Sequence, residues 1–336
     1  MINIFDIEDN KISTDLSGYP TVFMGKTGDG KTDSLNRYLR SVAPKGKVPL
    51  FLEFEDRYKA VKNLRAIRIY SMSDLLQVVA QLKNPKAKEV YSGIVFDTAD
   101  KFEDMVNKYI ATNKEVEITE DIGFGKGKRY LNGQIGIIQE IRNLGFPVHF
   151  TIQLFEKSDI ISKKTWYQTN LNSVTKDKIF SDAFLVGSVT LDKKAKDPLN
   201  SDRLVSFLAT SEYPELKDGF AGLPKSMHVM ELKDEMTKLF NQKYDADDLV
   251  NTEVMEVIEE KDKFSDVIEK GKDLGNKLMN AGYTNDAINV LKTNLGVVEE
   301  EGNRVRNFTD LIENQIDLAK VVVLELQKLV DKYGIE

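Results

Sequence analysis

Residues 25–32 read GKTGDGKT and match the pattern G-x-x-x-x-G-K-[ST] in full. The apolar run TVFM precedes this motif and the helix-like stretch TDSLNRYLRSV follows it, which is the strand–loop–helix context that phosphate binding requires. Glycines let backbone N–H groups close around phosphate oxygens, and the helix start adds the positive end of its dipole. The predicted nucleotide-binding residues are Gly25, Lys26, Thr27, Gly28, Asp29, Gly30, Lys31 and Thr32. Lys31 would reach the β- and γ-phosphates, and the Thr32 hydroxyl would complete a Mg²⁺ shell.

Apolar β-rich runs alternate with helix-like stretches over the first two hundred residues. Near-continuous apolar strands separated by helices are typical of a parallel sheet covered on both faces. The predicted strands are Thr21–Met24, Pro49–Phe54, Ala66–Tyr70, Gly93–Phe96 and Pro147–Gln153. The predicted helices are Thr32–Ser41, Ser73–Leu82, Lys101–Asn113 and Arg129–Asn143. Ala183–Leu191 and Arg203–Ser211 have no helix between them and are predicted to extend the sheet edge in antiparallel fashion. We therefore predict an α/β fold.

Charge and periodicity divide the chain into two parts. Residues 231–336 hold 14 Lys and Arg against 24 Asp and Glu, a net charge of −10, whereas residues 1–230 carry +3. Residues 241–263 are acidic without a sustained period, and three later stretches have helical spacing: Phe264–Met279, Asn285–Asn294 and Thr309–Tyr333. We predict a P-loop core over 1–230, an acidic linker over 231–263 and a small helical domain over 264–336.

Several classes of protein are excluded by composition. The chain has no Cys and two His, which excludes thiol nucleophiles, disulfides and a multi-histidine zinc site. No apolar run approaches the length of a membrane span, and the first nineteen residues carry acids instead of a basic, apolar leader. We expect a cytoplasmic protein with no membrane association.

A nucleotide site of this type needs an acid at the end of a neighbouring strand to hold Mg²⁺ through water. Asp97 ends the apolar run of YSGIVFDTAD, at the sheet edge where ligands of open α/β sheets bind. A helix pattern follows, so Asp97 or Asp100 could instead cap that helix. We predict Asp97 as the Mg²⁺-linked acid and Asp100 as the cap.

Hydrolysis also requires a group that orients or deprotonates water. Thr98 occupies the position directly after Asp97, so the candidates are Glu53 and Glu55 in PLFLEFEDRYKA. Strand alternation does not decide which of them faces the nucleotide. We prefer Glu55 because it is closer to the carboxyl edge of the strand.

Four motifs, in order, resemble the core of RecA-like ATPases: GKTGDGKT, LFLEFED, IVFDTAD and VHFTIQLF. The last contains Gln153 at a strand end. More narrowly, this Gln and ATSEYPELKDGFAGLP are similar to phage nucleotide-binding proteins of the Sak group, which are minimal RecA-like single-strand annealing or recombination proteins. The resemblance covers about residues 18–227. It implies ATP and Mg²⁺ as cofactors, a phage origin and a homo-oligomer on single-stranded DNA.

Carried over by position, the resemblance assigns catalytic roles to Glu55, Lys31 and Gln153. Glu55 would activate water, and Gln153 would couple the γ-phosphate to a DNA-binding loop. One departure concerns the cations that RecA-type recombinases place late in the core to reach a neighbour's nucleotide. LVSFLATSEY has none after Arg203, and only Arg203, Lys193 or Lys194 could substitute.

Two predicted loops combine cations with aromatic residues where such a core would meet DNA. The first, GFGKGKRY, offers Lys126, Lys128 and Arg129. The second, EKSDIISKKTWYQTN, offers Lys157, Lys163, Lys164, Trp166 and Tyr167. Lys and Arg neutralise phosphates, and aromatic rings stack on unpaired bases. A solvated basic turn and an aromatic ring packed on the core are the alternatives.

The favoured function is thus a phage ATPase acting on single-stranded DNA in recombination, annealing or replication. An alternative is an ATPase acting on a protein partner, as a helicase loader or a packaging or assembly motor. A small-molecule phosphotransferase would need an arginine-rich lid, and residues 202–220 offer only Arg203. The acidic C-terminal part could contact a replication or recombination protein or a second copy of the chain, or cap the core without any partner.

Overall fold

The computed structural model describes residues 11–56, 59, 61–117, 119–123, 125–159, 162–197, 202–245, 249–250, 264–298, 304–312 and 315–335. The chain divides into two compact units, Met1–Met255 and Glu256–Glu336. Within the described residues, no helix has both the length and the apolar character needed to cross a lipid bilayer.

The first unit is built on one nine-stranded sheet. Its strands, with two short pairs outside the sheet, are β1 Ile12–Ser13, β2 Thr21–Gly25, β3 Val48–Glu53, β4 Ala66–Arg68, β5 Tyr91–Asp97, β6 Val148–Gln153, β7 Phe155–Ser158, β8 Thr165–Gln168, β9 Leu185–Leu191, β10 Arg203–Ser206, β11 Lys217–Asp218, β12 Met227–His228 and β13 Leu249–Val250. The sheet order is β12-β10-β9-β2-β6-β5-β3-β4, with β11 also paired to β9. The pairs from β9 to β4 are parallel, and β10, β11 and β12 add antiparallel strands. The predicted α/β fold with an antiparallel edge is confirmed.

Helices cover both faces of this sheet. They are α1 Lys31–Val42, α2 Met72–Leu82, α3 Lys86–Val90, α4 Ala99–Asn113, α5 Lys126–Ile135, α6 Ile137–Asn143, α7 Ser173–Phe180 and α8 Leu232–Lys243. Apolar residues of successive strand positions point to opposite faces, so the sheet supplies two separate cores. One core packs on α2, α4, α5 and α6, and the other packs on α1 and α8. Because Phe51 and Val95 belong to the α1 core, the strand-end residues Glu53 and Asp97 face α1 as well.

Three parts of the first unit differ from the sequence prediction. The segment after Gln153 forms the hairpin β7–β8, where a loop was predicted, because Thr, Trp and Tyr favour extended structure. The predicted helix over 129–143 is two helices that meet at Gly136. The acidic linker does not begin at 231, since α8 buries Leu232 and Met236 in the core beneath α1.

The predicted linker contains a second ordered element of the first unit. β13 pairs in parallel with β1, aligning Leu249 with Ile12. Residues 251–263 lie outside the described residues. The predicted boundary at 230 is therefore too early, and the first unit extends through 250 at least.

The second unit is helical, as predicted. It comprises α9 Phe264–Asn280, α10 Thr284–Leu295, β14 Val297–Val298, β15 Arg304–Val305 and α11 Ile316–Tyr333. The prediction missed the short β14–β15 pair and began the last helix too early, because residues 308–310 form a 3₁₀ turn. Gly271 has to be glycine, since a Cβ there would lie 2.2 Å from the Phe308 ring.

Candidate functional site

Four strands that are consecutive in the sheet end in Gly25, Gln153, Asp97 and Glu53. The register aligns Gly25 with Gln153 and Glu53 with Asp97. These strands are parallel, so their carboxyl ends meet at one edge of the sheet, where open α/β folds bind ligands. The structure thus brings together the predicted phosphate loop, metal-linked acid and strand-end Gln.

The phosphate loop leaves β2 at Gly25 and enters α1 at Lys31. Gly28 and Gly30 have φ angles of 91° and 83°, in the left-handed region that favours glycine. A Cβ at Gly25 would lie 2.8 Å from the Val189 carbonyl oxygen, so this position also excludes a side chain. Asp29 Oδ2 accepts the Lys26 N–H at 2.8 Å and closes the loop on itself.

The Lys31 side chain lies along the inner edge of this loop. Its Nζ donates to the carbonyl oxygens of Gly25 at 3.0 Å and Lys26 at 3.1 Å. Burial lowers the pKa of Lys31, and the negative charges of nearby carboxylates oppose that shift: Asp97, Asp29, Asp100 and Glu55. The amine is therefore placed among acids at the strand ends, where a phosphate would meet it.

Thr32 and Asp97 are in direct contact. Thr32 Oγ1 donates to Asp97 Oδ2 at 2.7 Å, and the Thr151 hydroxyl donates to Asp97 Oδ1. This hydroxyl–carboxylate pair beside the loop fits a Mg²⁺ ion held by Thr32 and, through water, by Asp97. Among the described residues, no group of three His, Asp or Glu side chains could hold a metal ion by itself. A Mg²⁺ ion here would therefore need ligands from the nucleotide, as is usual for this ion.

Glu53 and Glu55 differ sharply in accessibility. Glu53 is only 1% exposed, and burial, with the charge of Asp97 next to it, raises its pKa to about 10. Glu55 is partly exposed, and its charge acts on Lys31. Water can reach the carboxyl group of Glu55 but not that of Glu53. Glu55 therefore stays the predicted water-activating residue.

Asp100 does not cap α4, contrary to the prediction. The N-cap is Thr98, whose hydroxyl accepts from the Lys101 N–H. Asp100 turns inward instead, and its Oδ2 accepts the Gln153 backbone N–H at 2.8 Å. Burial raises the pKa of Asp100 to about 6. Asp100 therefore fixes the strand end that carries Gln153, a role that helix-capping rules could not reveal.

The side chain of Lys26 connects the phosphate loop to the hairpin β7–β8. Lys26 Nζ lies 2.9 Å from the Tyr167 hydroxyl and 3.4 Å from Glu156 Oε2, and 4.2 Å from the centre of the Tyr167 ring. The Tyr167 hydroxyl also donates to Glu156 at 2.9 Å, and its ring stacks on Tyr213 at 5.1 Å. Tyr167 is thus engaged with Lys26, Glu156 and Tyr213 while staying partly exposed. We assign it to this link instead of base stacking.

The other predicted residues of this segment lie on the far face or the tip of the hairpin. Lys157 and Trp166 are directly opposite each other, one position away from the Glu156–Tyr167 pair. Successive residues of a strand alternate in direction, so Lys157 and Trp166 share the face that points away from Lys26. Lys163 and Lys164 are exposed near the tip. The hairpin therefore offers a cation, a tryptophan and two further lysines outside its contact with the phosphate loop.

The first predicted DNA loop is largely helical. Lys126, Lys128 and Arg129 are exposed on the first turn of α5, not on a flexible loop. Lys128 Nζ donates to the Ser173 hydroxyl at 3.4 Å, at the start of α7. Cations at a helix N-terminus oppose the helix dipole, so this cluster costs local stability unless an anion binds there.

Two comparisons relate the chain to known proteins. A family profile described as an AAA domain matches residues 17–215, more than half of the chain. An SPbeta prophage-derived uncharacterized protein of Bacillus subtilis strain 168, YorG, is 31% identical over 153 residues. That alignment covers 44% of this chain, and the chain spans 45% of the length of the relative. The family match includes the phosphate loop, Asp97, Gln153 and the hairpin, whereas the second unit lies outside it.

Proposed function

Because the chain belongs to the AAA domain family of P-loop ATPases, we propose that it binds and hydrolyses ATP with Mg²⁺ and acts on single-stranded DNA. We propose a phage setting by similarity to the prophage-derived relative, and within it recombination, annealing or replication, which the resemblance to the Sak group implies. The observation that carries the proposal is the contact between Lys26 of the phosphate loop and Tyr167 of a basic hairpin.

ATP would be held by the backbone of residues 25–32, with Lys31 on the β- and γ-phosphates. Thr32 and Asp97 are placed to hold Mg²⁺ beside the nucleotide, given their 2.7 Å contact. When bound, Mg²⁺ would neutralise charge on the phosphate oxygens during phosphoryl transfer. Glu55, which solvent reaches, would accept a proton from the attacking water, while Lys31 stabilises negative charge on the phosphates.

Single-stranded DNA would bind the face of the hairpin that carries Lys157 and Trp166, together with Lys163 and Lys164. A base stacked on Trp166 would contribute roughly 1–3 kcal/mol, and each lysine would neutralise a phosphate. The exposed cations of α5 offer a second phosphate-binding region. Gln153 lies between the phosphate loop and the hairpin, so it and Lys26 would both transmit the nucleotide state.

Fluorescence anisotropy with a labelled oligo-dT, with and without ATP and Mg²⁺, tests the DNA part of this proposal. Replacing both Lys163 and Lys164 with Ala should lower affinity and flatten the salt dependence by up to roughly 0.7 per lost phosphate contact. Trp166→Ala should weaken binding with little change in salt slope, because stacking releases few ions. The matched control is the double replacement of Lys193 and Lys194, two adjacent exposed lysines after β9.

The ATP part is tested separately with Lys31→Ala. This variant should lose detectable ATP binding and stay close to the wild-type unfolding temperature, because the Lys31 side chain bonds to loop carbonyl oxygens and belongs to neither hydrophobic core. Wild-type affinity of the variant would disprove the assignment of the phosphate site. Wild-type protein that ignores oligo-dT at low salt with ATP and Mg²⁺ would disprove the DNA part and favour an ATPase acting on a protein partner.

A further inference from the structure

A cation from the antiparallel edge of the sheet lies against the phosphate loop. Arg203 is the first residue of β10, and its Nε donates to the Asp29 carbonyl oxygen at 3.1 Å. The same side chain covers Gly30: a Cβ at that glycine would lie 3.0 Å from Arg203 Nε and 3.5 Å from its Cγ. Gly30 is favoured by its positive φ, and its lack of a side chain leaves room for the close approach of Arg203.

The neighbouring residue attaches this end of β10 to α1. Asp202 Oδ1 forms an ion pair with Arg37 Nη1 at 3.0 Å, and Asp202 Oδ2 accepts the Met230 N–H at 3.0 Å. Arg37 lies two turns into α1, away from the loop backbone. Two adjacent residues thus make separate contacts, Asp202 with the helix and Arg203 with the loop.

The contact of Arg203 acts on the peptide unit that joins Asp29 and Gly30. In a trans peptide the N–H points away from the C=O, and the N–H groups of a phosphate loop point toward the phosphate. A charged donor on the Asp29 carbonyl polarises this peptide and increases the positive character of the Gly30 N–H. The guanidinium itself adds a fixed positive charge beside the anionic ligand.

We infer that Arg203 is a positioning residue for the nucleotide bound by its own subunit, acting through the Asp29–Gly30 peptide. This inference rests on the proposed binding of ATP at the phosphate loop. It also bears on one difference from RecA-like recombinases. Those proteins place basic residues near the end of the core, where they reach the nucleotide of a neighbouring subunit. Here the late cation contacts the phosphate loop of its own chain, whereas Lys193 and Lys194 are exposed to solvent.

Three variants distinguish the role of Arg203 at the phosphate loop from the attachment of β10 to α1 through Asp202. Arg203→Ala should weaken ATP binding about tenfold, which is the lower end of the range for losing a hydrogen bond to a charged group. The KM for ATP should rise by the same factor, and kcat should change less. Arg203→Lys should recover part of the affinity, because an ammonium can donate to the same carbonyl but lacks the planar guanidinium. Arg37→Ala is the matched control. It removes the contact with Asp202, spares the loop carbonyl, and should stay within about twofold of wild type.

A mixing experiment decides whether Arg203 acts within one chain. The Lys31→Ala protein keeps Arg203 but has a defective phosphate site. The Arg203→Ala protein keeps Lys31 in the phosphate site but lacks the arginine. If Arg203 served a neighbour, mixing the two would restore ATPase activity. We expect the mixture to show no more activity than the sum of its components.

The readouts are the Kd for a fluorescent ATP analogue with Mg²⁺, steady-state KM and kcat, and thermal unfolding of each variant. Wild-type affinity of Arg203→Ala, an equal loss in Arg37→Ala, or recovered activity on mixing would each overturn the inference. Failure of the wild-type protein to bind the analogue would instead overturn the proposed function, and this result is seen before any variant is tested.

Discussion

Lys26 Nζ lies 2.9 Å from the Tyr167 hydroxyl, which connects the second residue of the phosphate loop to the second strand of the β7–β8 hairpin. The contact is solvent-exposed, so it contributes little to global stability. A weak contact between two ordered elements can still change when a phosphate attracts the lysine. The link is therefore suited to transmit the nucleotide state.

Tyr167→Phe should uncouple ATP from DNA binding. The variant keeps the ring stack on Tyr213 and removes the hydroxyl that meets Lys26 and Glu156. We expect the ratio of oligo-dT affinities with and without ATP to move toward one, while ATP affinity changes less than about twofold. Tyr109→Phe, on the exposed side of α4, is the control. An unchanged ratio for Tyr167→Phe would contradict a coupling role for the hydroxyl that meets Lys26.

Glu55→Gln should retain ATP binding and slow hydrolysis by about 10²-fold or more, the usual range for a lost general base. Glu53→Gln should stay within about fivefold of wild type, because Glu53 is enclosed and water cannot reach it. Single-turnover phosphate release measures both rates. The opposite ranking of the two variants would mean that Glu53 is the water-activating residue.

Acid should destabilise the protein partly through His149. Its Nδ1 accepts the Thr21 N–H, and burial lowers its pKa to about 3. Below about pH 6.5 the unfolded imidazole binds a proton and the folded one does not, so stability present above this pH is lost as the pH falls. The loss attributable to His149 is about 2 kcal/mol between pH 6.5 and about 5.

His149→Gln should reduce that pH dependence, because an amide oxygen can accept the Thr21 N–H without titrating. Chemical denaturation at the two pH values measures the free energy of unfolding. His228→Gln, at a partly exposed position, serves as the control. Equal pH dependence in wild type and His149→Gln would contradict the prediction.

Truncation tests the corrected boundary of the first unit. A chain ending at Met255 should remain folded and bind ATP, since it retains α8 and β13. A chain ending at Lys238 would lose Leu239 and Phe240, which are buried beside Phe220 and Tyr19. We expect a loss of about 3 kcal/mol or more for the shorter chain, because removing a buried Phe side chain alone costs that much. Size-exclusion chromatography and thermal unfolding of the two products distinguish these outcomes.

The sequence predicted the candidate site best where a residue's role depends on its own backbone conformation or on its position in a strand. Gly28 and Gly30 need positive φ, and Asp97 ends a buried strand, so the phosphate site could be placed without coordinates. Contacts between distant segments were not predictable in the same way. Asp100 lies at the start of α4, where acidic residues commonly cap helices. Its side chain instead accepts a hydrogen bond from the backbone N–H of Gln153, fifty-three residues away.

The hairpin and α8 also make packing contacts that the sequence alone did not reveal. Tyr167 was recognised as an aromatic residue near lysines, but its ring packs on Tyr213, which only the fold brings close. The acidic composition of the wider C-terminal window favoured a linker that included α8, whereas α8 itself holds three lysines and two acids and has an apolar buried side: Leu232, Met236, Leu239 and Phe240. Net charge over a window describes the solvent-facing side of a helix and conceals the packed side.

The strict alternation of the hairpin has a mechanical consequence. Tyr167 and Trp166 are adjacent in the chain and point to opposite sides of a two-stranded ribbon. The two strands are joined by their ladder of hydrogen bonds, so a change in the position of Tyr167 would also move Trp166 on the opposite side. In the proposed DNA-binding mode, the contact of Lys26 with Tyr167 would in this way set the position of the stacking tryptophan.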